Sequence, residues 1–135
     1  MNWSRALFAG FVGGIVVNIY EFVIHGFVMT GTYMKYPVFD REPANPAWFV
    51  ALAVILGVIA AIIFAKTRAS WAPGPKGGLV FGFWVGLIGF FAQFYYPLVI
   101  AGFPYYLAWC MGGIALIGYL LFGVVVGAMY KASPA

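Results

Sequence analysis

Residues 4–30 read SRALFAGFVGGIVVNIYEFVIHGFVMT, an apolar run whose interior is interrupted by the polar side chains of Asn18, Glu21 and His25. At 1.5 Å per residue a helix of this length crosses roughly 30 Å of hydrocarbon with residues to spare. Three further runs share its character, at about 47–65, 77–101 and 104–130. The reading is an all-α membrane protein of four transmembrane helices. Composition agrees: 65% of residues are hydrophobic and 7% charged, where soluble domains carry about 25% charge, and the mean hydropathy is +1.01. No stretch is polar enough for a separate soluble domain, so residues 1–135 are expected to form one transmembrane domain.

The breaks between runs carry helix start and stop chemistry. In ANPAW, Asn45 is placed to cap a helix whose first residue is Pro46, and WAPGPKGG is a turn that no helix runs through. AGFPYY ends the third run in the same way, and Pro97 is expected to kink or end that helix earlier and to free a carbonyl beside an outward-facing crevice. The first run is expected to be retained rather than cleaved as a signal peptide: it is too long, contains Glu21 and is followed by no suitable small-residue cleavage site.

Charge sets an expected orientation. Arg5, Lys66, Arg68, Lys76 and Lys131 fall on one side, whereas the other side has Lys35 and Arg41 in a loop shared with Asp40 and Glu42. The positive-inside rule then places both termini in the cytoplasm. Trp3, Trp71 and Tyr130 read as an inner aromatic belt, and Tyr33, Tyr36, Trp48, Tyr105, Tyr106 and Trp109 as an outer one. The net charge of +4 comes from seven dispersed basic residues, so no basic stripe suited to nucleic acid exists. The expected partners are the lipid bilayer and either a second copy or another membrane protein. Cys110 has no intrachain thiol to pair with.

The chain also repeats itself. Shifting the third run by 72 positions pairs Gly10 with Gly82, Gly14 with Gly86, Phe22 with Phe94 and Glu21 with Gln93. A shift of 61 pairs Trp48 with Trp109 and Gly57 with Gly118. Residues 1–66 and 73–131 therefore read as two tandem parallel hairpins about a pseudo-twofold axis along the membrane normal. Inverted-repeat transport architecture is disfavoured.

On a helical wheel Gly10, Gly14, Asn18, Glu21 and His25 share one sector, and Gly82, Gly86, Gly89 and Gln93 share the equivalent one. Small residues let membrane helices approach closely, so the first and third spans are expected to cross through these faces and bring Glu21 to Gln93. A protonated Glu21 would then donate to Gln93 or Asn18, the form a low-dielectric surrounding favours. Two readings of the stripe stay open. It is interhelical glue, or it is a ligand-binding site of Asn18, Glu21, His25 and Gln93, since ionisable groups are costly at membrane depth. A metal needs three or four ligands; Glu21 and His25 supply two, and only a homodimer would double them. Metal identity is unknown and no cofactor is expected. GPKGG lacks the spacing of a phosphate loop, and FFAQFYYP is a candidate pocket wall around Gln93.

The segment GGIVVNIYEFVIHG followed by a second glycine-rich hairpin resembles the small four-helix inner-membrane proteins of bacterial genomes, a group with no activity to transfer. That resemblance implies a bacterial cytoplasmic membrane. Three functional classes follow: an accessory subunit or small-ligand-binding module, a small transporter of a proton, cation or polar solute, and a metal- or haem-binding enzyme. The scarcity of acids, bases and ligands disfavours the third.

Overall fold

The computed structural model describes residues 1–40 and 45–131, and every regular element among them is helical. The reading of Arg41 and Glu42 as outer-loop charges lies outside the described residues. Helix α1 (Trp3–Val23) continues through a π-helical turn, Ile24–Val28, into α2 (Thr30–Tyr33), and a 3-10 turn, Pro37–Phe39, follows. Helix α3 (Pro46–Lys66) is joined by another 3-10 turn to α4 (Pro75–Ala92), then α5 (Tyr95–Val99) and α6 (Tyr105–Met129). Four spans are long and apolar enough to cross a membrane: Trp3–Val28, Pro46–Lys66, Pro75–Val99 and Tyr105–Met129. The chain is an integral membrane protein with a helical bundle.

Local chemistry accounts for the boundaries. Asn2 Oδ1 accepts from the Arg5 amide at 3.1 Å, and Asn45 Oδ1 from the Ala47 amide at 3.0 Å, each satisfying a donor that the first helical turn leaves free. Pro46 and Pro75 start helices where a missing N–H costs nothing. Gly74, at φ 74°, makes the turn that Pro73 and Pro75 flank.

Pro97 breaks the third span four residues before itself, where its ring would meet the Gln93 carbonyl. Tight turns replace the helical ladder there: the Gln93 amide donates to Phe90 at 3.3 Å, and the Tyr96 amide to Gln93 at 3.2 Å.

Glycines set the packing, though not between the helices anticipated. A methyl group at Gly10 would stand 2.6 Å from the Val58 Cα, and one at Gly14 would stand 2.6 Å from the Ala53 carbonyl oxygen. Both glycines therefore face α3. Gly78 packs on Gly123, Gly82 on Tyr119 and Gly86 on Leu116, so the second glycine face meets α6, and Gly89 lies under the Tyr119 ring. Each glycine face is used inside its own hairpin. Helix α6 also packs on α1, with Gly13 against the Phe122 ring, while α1 and α4 share no extended backbone contact. The expected crossing of α1 with α4 is corrected accordingly.

The largest buried cluster lies toward the end where Asn2 and Tyr130, near the two ends of the described chain, meet. Asn2 donates its amide to the Tyr130 hydroxyl at 3.2 Å, and Phe64, Phe81, Phe122, Val126 and Tyr130 are buried together. The Phe64 and Phe81 rings, 5.2 Å apart, link α3 to α4. Tyr130 is only 3% exposed, so it is a core residue rather than the interfacial anchor its position suggested. At the other end the π turn, α2, α5 and the Pro37–Phe39 turn bury no residue. That end is the more open one, although Leu107 and Ala108 in the first turn of α6 are fully buried there.

Candidate functional site

The open end holds a cavity of about 270 Å³. Glu21 and His25 enter it from α1 and the π turn, Gln93 from the break after α4, and Met111 and Ala115 from α6. The remaining wall is aromatic and aliphatic, with Phe39 from the 3-10 turn, Tyr96 from α5 and Phe103 from the turn before α6.

Three of the four residues anticipated as ligands, Glu21, His25 and Gln93, face one space. Asn18, one helical turn nearer the core, is half-buried and does not line it. Glu21 and Gln93 line the cavity without bonding to each other. The Gln93 Nε2 reaches only the Gly89 carbonyl of its own helix, at 3.5 Å, a distance at which little hydrogen-bond energy remains. No side-chain N or O among the described residues is both fully buried and unpartnered. The carboxyl group of Glu21 makes no hydrogen bond to a described residue and lines the cavity.

His25 is held from outside. Its Nδ1 and the Tyr33 hydroxyl are 2.5 Å apart, and the two rings stack with centroids separated by 5.9 Å. The π turn makes this pairing reachable: the Met29 amide donates to Ile24 at 2.8 Å, five residues back, and the wider turn carries the chain round toward α2. Thr30 Oγ1 donates to the Gly26 carbonyl at 2.5 Å, occupying a carbonyl freed by the irregular turn. Burial pushes the Tyr33 hydroxyl up to about 12, with the nearby Cys110 thiol adding a smaller push, so the phenol keeps its proton at neutral pH.

An aromatic chain runs from His25 through Tyr33 to Phe39, whose rings are 4.8 Å apart, then to Phe103 at 5.7 Å and Tyr96 at 5.5 Å. Phe39 and Phe103 were not anticipated, because each sits in a segment that reads as a connector. Tyr33 was read as an interfacial anchor; its eight-residue spacing from His25 matches no regular helical contact. Of the run FFAQFYYP, Gln93 and Tyr96 line the cavity, while Phe94 turns to Trp109 with rings 5.0 Å apart. Among the described residues no group of three His, Cys, Asp or Glu side chains is placed to hold a metal ion.

Comparison with protein-family models, curated proteins and solved structures finds no match to the chain.

Proposed function

We propose that the chain is a small-ligand-binding membrane module whose cavity opens on the outer side of a bacterial cytoplasmic membrane, with both termini inside. The observation that carries this reading is the convergence of Glu21, His25 and Gln93, from the two halves of the sequence, on one cavity of about 270 Å³. If the carboxyl group served only as interhelical glue it would be hydrogen-bonded across an interface, whereas Glu21 has no such partner among the described residues and faces open space.

Orientation is supported by charge. Arg5, Lys66, Arg68, Lys76 and Lys131 belong to the end where Asn2 meets Tyr130, and basic residues are retained on the cytoplasmic side. Tandem duplication is supported by packing: Gly10 meets Val58, and Gly82 meets Tyr119, positions related by the same shifts of 72 and 61 that align the two halves. The module is well suited to serve as an accessory subunit, since such a site needs no catalytic group.

Native mass spectra of the full chain released from mild detergent test the reading. Wild type is expected to retain a reproducible small-molecule adduct that Glu21→Gln loses while keeping the same oligomeric state. Bare protein of equal stability in both forms would overturn the proposal and leave Glu21 a structural residue.

A further inference from the structure

The lining has a lopsided chemistry. Among the described residues it contains one carboxyl group, Glu21, one carboxamide, Gln93, and one imidazole whose Nδ1 is engaged by Tyr33, but no Lys or Arg. An anionic ligand would find no fixed positive charge on the described lining residues. A neutral apolar ligand would cover the Glu21 carboxyl without giving it a partner, which is costly in a low-dielectric site.

A cation answers both objections, and the rest of the wall says which kind. Phe103 stands between two other rings, Phe39 at 5.7 Å and Tyr96 at 5.5 Å, making an aromatic wall in the cavity that Glu21 also lines. An inorganic cation prefers a shell of oxygens, whereas a carboxyl group that shares its cavity with aromatic rings suits an ammonium carried on carbon, which favours the ionised carboxylate through charge pairing and adds cation–π attraction. The volume lies just under the range of about 300–1,000 Å³ typical of sites for drug-sized molecules, so the guest is small.

We infer that the cavity binds a small organic ammonium ion, with Glu21 as counter-ion, Gln93 as a hydrogen-bond acceptor through its Oε1, and the Phe39–Phe103–Tyr96 surface enclosing the alkyl groups. This inference rests on the binding reading of the cavity and adds to it the charge and class of the ligand.

The test is calorimetric titration of the purified full-length protein in lipid nanodiscs with choline, ethylammonium, sodium and 3,3-dimethylbutan-1-ol, the last being the neutral counterpart of choline. Choline is expected to bind at least about tenfold more tightly than its neutral counterpart, with sodium failing to compete. Glu21→Gln should abolish that preference, and Phe103→Leu should weaken choline about two- to fivefold. Ethylammonium binding as tightly as choline would assign a primary amine within the same class. Equal affinity for choline and the neutral alcohol overturns the inference, as does competition by sodium at equal concentration. The choline–alcohol comparison uses wild type alone, so it stands even where a variant fails to fold. If native spectra show an adduct lost in Glu21→Gln while neither ammonium binds, the cavity binds a ligand of another class. If neither result appears, both readings fall.

Discussion

At the scale of single residues, Tyr33 illustrates how a side chain outside the spans supports one inside them. Its hydroxyl and His25 Nδ1 share a hydrogen bond, and removing it with Tyr33→Phe leaves a ring nitrogen without its partner. The expected cost is about 1 kcal/mol, measured by denaturant unfolding in detergent. The pH dependence has a definite sign. A hydroxyl raised from 10.0 to about 12 in the folded protein holds its proton more tightly there than in the unfolded chain. Its contribution is complete below the unfolded value and is lost as pH rises through the folded one. Wild type is therefore expected to lose stability relative to Tyr33→Phe between pH 10 and 12, and to show a constant difference at neutral pH. Parallel curves across that alkaline range would show that the Tyr33 proton is not linked to folding.

Among the helices, the glycines separate into those that carry an interface and those that do not. A methyl group at Gly123 would meet the backbone carbonyl of Gly78, which cannot move aside, whereas one at Gly113 in the same helix meets nothing within 4 Å. Gly123→Ala is expected to destabilise the bundle by about 1–3 kcal/mol through overpacking. Gly113→Ala should leave stability unchanged or raise it by up to about 1 kcal/mol through helix propensity. Resistance of the two variants to unfolding in sodium dodecyl sulfate decides the comparison. Pro97 acts on the site rather than on an interface: Pro97→Ala restores the missing amide, allows the helix to continue past Gln93 and moves that side chain from the cavity. The adduct retained by wild type is expected to fall in this variant while helicity by circular dichroism rises slightly.

The molecule as a whole combines a tight terminal end with a more open opposite end, and this asymmetry links packing to function. Buried aromatics hold the helices where Asn2 and Tyr130 meet, and at the other end Leu107 and Ala108 stay buried while the π turn, α2 and α5 leave room around the polar groups. The proposed orientation predicts that a green fluorescent protein fused after Ala135 fluoresces, while alkaline phosphatase fused there is inactive. In a Cys110→Ser background, Lys35→Cys should react with a membrane-impermeant maleimide added outside intact cells. Active phosphatase at the carboxyl end would reverse the orientation and turn the cavity toward the cytoplasm.

Hydrophobic length and breaker chemistry are local, and for that reason the four spans, the Asn45–Pro46 start, the Pro73–Gly74–Pro75 turn and the break caused by Pro97 are all readable from residue order. The polar stripe of Glu21 and His25 is readable for the same reason, since helical spacing places both on one face. Which helix a glycine face meets is not local: a small side chain permits close approach without naming the partner, and Gly10 and Gly82 turned to their own hairpins rather than to each other. Nor does order reveal that Phe39 and Phe103 wall the cavity or that Tyr33 holds His25, because those contacts depend on a π turn and on loops folding over the open end. The elements follow from one-dimensional chemistry; the pairing of faces and the shape of the cavity follow from the competition among all four helices for contact, which only the tertiary structure resolves.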